Sequence, residues 1–320
     1  MFGLRKQPPT TGAFALGKFP GHPEFLRTED ELGATLDAWL DAGWQGAHAV
    51  HGAEWAPAFA GGAVYGFLWR PAGKTEKVAC GVIAPSADSL GRAYPLVVGC
   101  PLPTPLITAC WPFSPTAASR LLDEAHGLMM DAGSSAFTRD DIAHRLQELR
   151  SPTVEEYQAA EVEHSAWCDE VTVSEGWQPV FAHVGGLRGA SAVLEGLEAA
   201  IRPLARRERP ASSVVLRLPL GEGGSTATTL WLDIVQRIAQ WKQTVPSVFW
   251  AAEGGTLLLA VAPPGPSLVG QLWRADPNDE HVFDLSKSDG ENSSLATAVS
   301  RLVVERPDAP MSALLGLLGR

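Results

Sequence analysis

Cysteine is scarce in this 320-residue chain, with four in all. Cys80, Cys100, Cys110 and Cys168 contain no C-x-x-C pair, and Cys80 and Cys100 sit in apolar, strand-like runs where a thiol behaves as a small hydrophobe. That usage fits a reducing cytoplasm. Positive charge is also short. Lys and Arg number 25 against 36 Asp and Glu, a net charge of −11, which disfavours nucleic acid or an anionic membrane as the main partner. No apolar stretch reaches the length of a membrane span, because charges or prolines interrupt each one. Arg5 and Lys6 are followed by no apolar h-region, so no signal peptide is expected. Catalytic signatures are missing too: there is no G-x-S-x-G elbow, no H-E-x-x-H and no G-x-x-x-x-G-K-[ST].

What remains is ordinary globular composition, 45% apolar and 19% charged, which excludes a disordered chain. The length predicts about two domains, each able to bury a core without disulfides or metals. Residues 1–115 are read as one domain and 116–320 as a helical connection with a second domain. The expected class is mixed α/β: an antiparallel sheet flanked by helices in the N-terminal half, and a smaller α/β unit in the C-terminal half.

Local signals carry this reading. Gly12–Gly17 is a short strand-like run. Thr28 and Glu31 form a capping box, after which Leu32, Leu36, Trp39, Leu40 and Gly43 recur at helical period. Strand-like runs follow at Ala63–Arg70, Val78–Ala84 and Tyr94–Cys100, with connections too short for crossover helices. Pro101–Pro115 holds five prolines and is read as an irregular connection. Helices are expected at Thr116–Met130, Thr138–Leu149 and Thr153–Val162, the last opened by the Thr153/Glu156 capping box. In the second half, Val180–Val184 and Ser213–Leu218 read as strands, and Ser191–Leu204 and Thr226–Lys242 as helices. Val248–Ala251 and Thr256–Ala262 read as paired strands around Glu253-Gly254-Gly255. A helix at Ser267–Trp273 and an acidic loop at Asp276–Ser294 complete the reading.

Several groups carry chemistry. His164 and Cys168 lie four apart and His48 and His51 three apart, but neither pair has the second pair that a structural metal site needs, so no metal and no cofactor is expected. Gly221–Ser225 sits between a strand and a helix, where backbone amides can cradle a phosphate and so sense a nucleotide. It lacks the P-loop lysine, and a plain turn is the other reading. The segment Gly17–Arg27 packs Lys18, His22, Glu24, Phe25 and Arg27 around the rigid turn of Pro20 and Pro23. It is either a packed strand-to-helix connection, with Lys18 and Arg27 pairing Glu24, or a recognition loop. The segment Pro85–Leu96 has Ser86 and Asp88, which bond their own backbone in turns, Gly91, which permits a positive φ, and Arg92, within reach of Asp88. A hydrolase would use Ser86 as nucleophile, His22 as base and Asp88 as orienter, though spacing alone does not bring them together.

These segments resemble the type VI secretion system-associated TagF family, also called ImpM. The resemblance rests on Gly17-Lys18-Phe19-Pro20, Glu24-Phe25, Asp37-Ala38-Trp39-Leu40, the aromatics Trp55 and Phe59, the strand Tyr65–Trp69, and P-S-x-D-x-x-G-R-x-[YF]-P-L. The last is present as Pro85, Ser86, Asp88, Gly91, Arg92, Tyr94, Pro95 and Leu96. It covers roughly residues 12–103; Trp231-Leu232 and Pro246–Trp250 are similar more loosely. Many members have Gly-Asp-Phe where this chain has Pro23-Glu24-Phe25, which places the carboxylate one methylene further out. The protein-phosphatase domain of some relatives is not seen, so no dephosphorylation is expected. The resemblance implies a cytoplasmic, non-enzymatic repressor that holds a type VI secretion system inactive after translation by binding its forkhead-associated scaffold protein. It further implies that Lys18, His22, Glu24, Phe25, Arg27, Ser86, Asp88 and Arg92 meet the partner. Gly17, Pro20, Asp37, Trp39, Gly91, Tyr94 and Pro95 would shape the motif.

Overall fold

The structure is a computed structural model that describes residues 12–23, 25–27, 31–73, 76–134, 137–183, 185–206, 214–251, 255–276, 278–286 and 295–318. Eight strands form one sheet: β1 (Phe14–Gly17), β2 (Tyr65–Trp69), β3 (Lys77–Ala84), β4 (Leu96–Pro103), β5 (Val215–Pro219), β6 (Ser247–Ala251), β7 (Thr256–Ala260) and β8 (Val282–Asp284). Their order is β1-β4-β3-β2-β6-β7-β5-β8. All neighbours run antiparallel except β5 and β8. The class is therefore mixed α/β, with helices flanking the sheet.

Side chains alternate between two faces, as the two-residue period of a strand demands. On β2, Tyr65, Phe67 and Trp69 join one core and Leu68 the other; on β6, Phe249 and Ala251 oppose Val248 and Trp250. One face carries α1 (Glu31–His51), the short α2 (Trp55–Ala60) and α11 (Leu268–Trp273). Gly43 lets α1 approach α11, since a Cβ there would stand 2.3 Å from Val269 Cγ2. The opposite face is covered by the other helices: α3 (Thr104–Ile107), α4 (Ser114–Ala117), α5 (Ser119–Ala132), α6 (Arg139–Glu148), α7 (Val154–Glu170), α8 (Val173–Phe181), α9 (Gly186–Ile201), α10 (Gly224–Ala239), α12 (Ala298–Glu305) and α13 (Met311–Leu315). Both faces of the sheet are thus covered, which is why seven of the eight residues of β3 are buried.

The junction between halves is the pairing of β2 with β6, Tyr65 opposite Ala251 and Leu68 opposite Val248. The second unit expected from the sequence continues the sheet of the first, and the larger core cluster draws on both halves.

Local expectations meet the structure unevenly. The box at Thr153 and Glu156 starts α7, which runs on to Glu170, and Thr138 caps α6. The Thr28 half of the first box lies outside the described residues. Val180 is not in a strand: α8 spans Val173–Phe181, started by a Thr172/Glu175 capping box and carrying Pro179 inside it. The β-branched Val180 looked strand-like, but the cap and packing against α9 decide the segment. Pro101–Pro115 is less irregular than expected. β4 continues to Pro103, and α3 and α4 follow with proline in their first turns, where no donor is lost. The acidic stretch after Asp276 contributes β8, and residues 287–294 of it are not described.

Candidate functional site: two clasped bends

The first bend leaves β1 at Gly17, where the backbone turns with φ +115°, and a Cβ would fall 1.8 Å from the Pro95 carbonyl oxygen. Only glycine allows the first bend to lie so close to the second. The Gly17 and Leu26 backbones exchange hydrogen bonds of 3.0 and 2.8 Å, closing the bend, and Lys18 N donates to Pro95 O at 3.3 Å. Phe19 is fully buried, and the His22 ring stacks on it at 6.0 Å.

The second bend is the β3–β4 connection. Ala87 bridges Ala93, and Tyr94 N donates to Ser86 O at 2.9 Å. Inside it, Asp88 Oδ1 accepts from Leu90 N at 3.1 Å and Arg92 N at 2.9 Å, the side-chain turn that Asp favours. Gly91 takes φ +76° with open space where a Cβ would go. Asp88 Oδ2 accepts from Arg92 Nε at 2.7 Å and pairs with Lys18 Nζ at 3.2 Å.

The bends are therefore clasped. Arg92 Nη2 donates to Pro23 O at 2.7 Å and Ser89 N to His22 O at 3.2 Å. The Asp88 side chain is wholly covered, with cations from both bends on one oxygen. Burial alone would raise its carboxyl. The Arg92 amide and guanidinium, the Lys18 ammonium and the Leu90 amide outweigh that and hold it well below the usual carboxylate range.

The sequence-derived residues divide by exposure. Asp88 and the mostly covered Lys18 are interior struts. Arg27, with 73% of its side chain exposed, and Arg92, with 57%, face solvent. Leu90 at the tip of the second bend is 68% exposed. Phe25 is half-buried against Tyr94, ring centroids 5.0 Å apart, with the Arg27 guanidinium over it at 5.2 Å. Arg27 pairs with Asp37 at 3.4 Å, although burial still raises the Asp37 carboxyl. Glu24 lies outside the described residues. Trp39 is buried and its Nε1–H is shared between Pro264 O at 2.9 Å and Gly265 O at 3.2 Å, fixing α1 to the loop before α11. Pro95 is buried beside Gly17, and burial pushes the Tyr94 hydroxyl up. Pro20 is half-buried in the turn. Leu90 was missed by sequence reasoning, although an apolar residue between Asp88 and Gly91 in a polar turn was the available signal.

The hydrolase arrangement does not assemble. Asp88 is committed to two amides and two cations, His22 Nδ1 is shielded without a partner, and no hydrogen bond joins Ser86 Oγ to either residue. Elsewhere, His164 Nε2 meets Asp233 Oδ2 at 3.1 Å and Cys168 Sγ at 3.6 Å, and burial pushes the Cys168 thiol up to about 12. Among the described residues no three His, Cys, Asp or Glu side chains are grouped to hold a metal. No described helix is long and apolar enough to cross a membrane.

Fold and site together define a mixed α/β protein whose two distant motif segments are locked into one rigid surface. Residues 14–149 match the family model of the TagF N-terminal domain, type VI secretion system-associated. The chain is also similar to PA0076 from Pseudomonas aeruginosa PAO1, whose crystal structure was determined at 2.05 Å resolution. The two share 15% identity over 82% of this chain and 94% of that one, with a TM-score of 0.46, a likeness too loose to carry residue roles. No curated protein matches the chain.

Proposed function

We propose that this protein is a post-translational repressor of a type VI secretion system, acting in the cytoplasm by docking the clasped bends onto the system's forkhead-associated scaffold protein. It acts by binding, without bond-making chemistry of its own. The observation that carries the reading is the exposed set Leu90, Arg27 and Arg92 on a frame held by Asp88, Lys18 and Gly17. An apolar knob beside cations on a rigid turn loses little entropy on binding, and such anchors carry most of the energy of an interface. The cations stand on a chain of net charge −11, so they select an acidic patch on the partner.

The test is co-purification with the scaffold protein of the same system, together with a secretion assay in cells that overproduce the chain. Leu90→Asp and Arg27→Ala are expected to weaken capture at least tenfold and restore secretion. Val162→Asp, on the exposed face of α7, should leave both unchanged. Full capture and full repression by both Leu90→Asp and Arg27→Ala would remove the bends as the contact surface.

A further inference from the structure

α7 carries apolar residues on two sides. Tyr157, Ala160 and Cys168 are buried, whereas Val154, Ala159, Val162 and Ala166 are exposed. Val162 is 69% exposed and Val154 49%. Apolar residues on two sides of a helix call for cover on two sides, yet this outer strip faces solvent. The charge around it has one sign. Glu155 and Asp169 lie seven residues before and after Val162, nearly two turns and so on the same face, about 10 Å away along the axis. Glu161 and Glu163 flank Val162, all four carboxylates are exposed, and α7 contains no Lys or Arg.

The clasped bends are the converse: an exposed Leu90 with the exposed cations Arg27 and Arg92. Arg27 is held by Asp37, and Arg92 by Asp88 and Pro23 O. Both guanidinium groups are thus ordered before any contact, and little side-chain entropy remains to be lost. Six large hydrophobic side chains are exposed among the described residues, and Leu90, Val154 and Val162 are three of them. Half of that set therefore lies in two patches of opposite charge. Both patches are open to solvent in the same chain, so they do not meet within it, and the partner that fits each is another copy.

We propose that the outer face of α7 is the seat for the clasped bends of a second copy of this chain. Leu90 of one copy packs on Val162 of the other, and Arg27 and Arg92 meet the carboxylates around it, a complementarity of both shape and charge. The contact joins unlike surfaces, so it either closes reciprocally into a dimer or continues head to tail. One helix face and one turn make a small interface of the weak class, with dissociation on the order of 10–100 µM. The inference uses the same bends as the scaffold reading but needs no scaffold. Seated bends are covered, so a second copy and any other partner compete for one knob.

The test is sedimentation velocity of the full chain from about 5 to 300 µM, a range that brackets the expected dissociation constant. The average mass should rise above the 34.0 kDa of one chain. Val162→Asp and Leu90→Asp, both at exposed positions where substitutions rarely disturb folding, should each stay monomeric throughout. An equimolar mixture of the two should associate again, as a 1:1 pair, because Val162→Asp keeps intact bends and Leu90→Asp keeps an intact α7. Capture of the scaffold runs below this concentration range, so Val162→Asp loses the self-contact alone and Leu90→Asp loses both, which separates a failure here from a failure of the scaffold reading. A parent chain that is monomeric at the highest concentration leaves α7 to a different partner and overturns the proposal. Self-association that persists in Val162→Asp, or a mixture whose two variants stay apart, overturns it as well.

Discussion

Replacing Gly17 by Ala tests the clasp at its tightest point. Two costs apply. Holding a Cβ-bearing residue at a positive φ costs about 1–2 kcal/mol. The new Cβ would stand 1.8 Å from Pro95 O, so the carbonyl must move by about 1.2 Å to reach the 3.0 Å floor of real Cβ contacts. That motion removes the Lys18 N→Pro95 O bond and strains the Gly17–Leu26 pair, at about 1 kcal/mol for each backbone bond lost. The sum is about 2–3 kcal/mol, which lowers Tm by about 4–6 °C at the low end of the sensitivity for large domains. Gly91→Ala is the control. Its φ is +76° but nothing lies within 4 Å of a Cβ there, so only the conformational cost of about 1–2 kcal/mol applies. Urea titration of both variants, with m compared to the parent chain, separates the two costs. If Gly17→Ala costs no more than Gly91→Ala, the two bends do not touch as described and the clasp is wrong.

Three further outcomes follow from the same structure. Asp88 has a folded pKa below its unfolded one, so its stabilisation is fully present above the ordinary Asp value near 3.9 and is lost as the pH falls through the folded value. The Tm difference between the parent and Asp88→Asn should therefore be constant above about pH 5 and shrink on acidification; a difference that grows in acid contradicts the assignment. Trp39→Phe removes the Nε1–H shared by Pro264 O and Gly265 O and should cost about 2 kcal/mol in urea unfolding, from two stranded carbonyls and lost volume. Thr172→Ala removes the Oγ1 cap on Glu175 N and should cost about 1 kcal/mol; no effect on unfolding would mean that α8 does not depend on that cap.

Much of the local structure is legible from residue order. The Leu32-Leu36-Leu40 stripe gives α1, and Thr153 with Glu156 gives the start of α7, because both signals act within one or two helical turns. The turn built by Asp88, Gly91 and Arg92 is legible for the same reason: every bond inside it spans four residues or fewer. Val180 misled because a strand-like composition says nothing of the cap eight residues earlier. The helix α12 had a local signal that the reading passed over, the Thr297 cap on Ser300 N; α12 and α13 are also held by burial of Val299, Val303, Met311, Leu314 and Leu315 in the larger core.

Sequence alone settled the class, the strand meander, the starts of α1, α6 and α7 and the identity of the two motif segments, because those depend on period, capping and turn chemistry over short spans. Tertiary structure alone decided that β2 joins β6 and so makes one sheet of two halves. It also decided that Lys18 reaches Asp88, that Gly17 meets Pro95, and that the Trp250 indole lies over Gly66. Those contacts join residues far apart in the chain, and their energies come from desolvation and close approach, which exist only once both partners have been brought together.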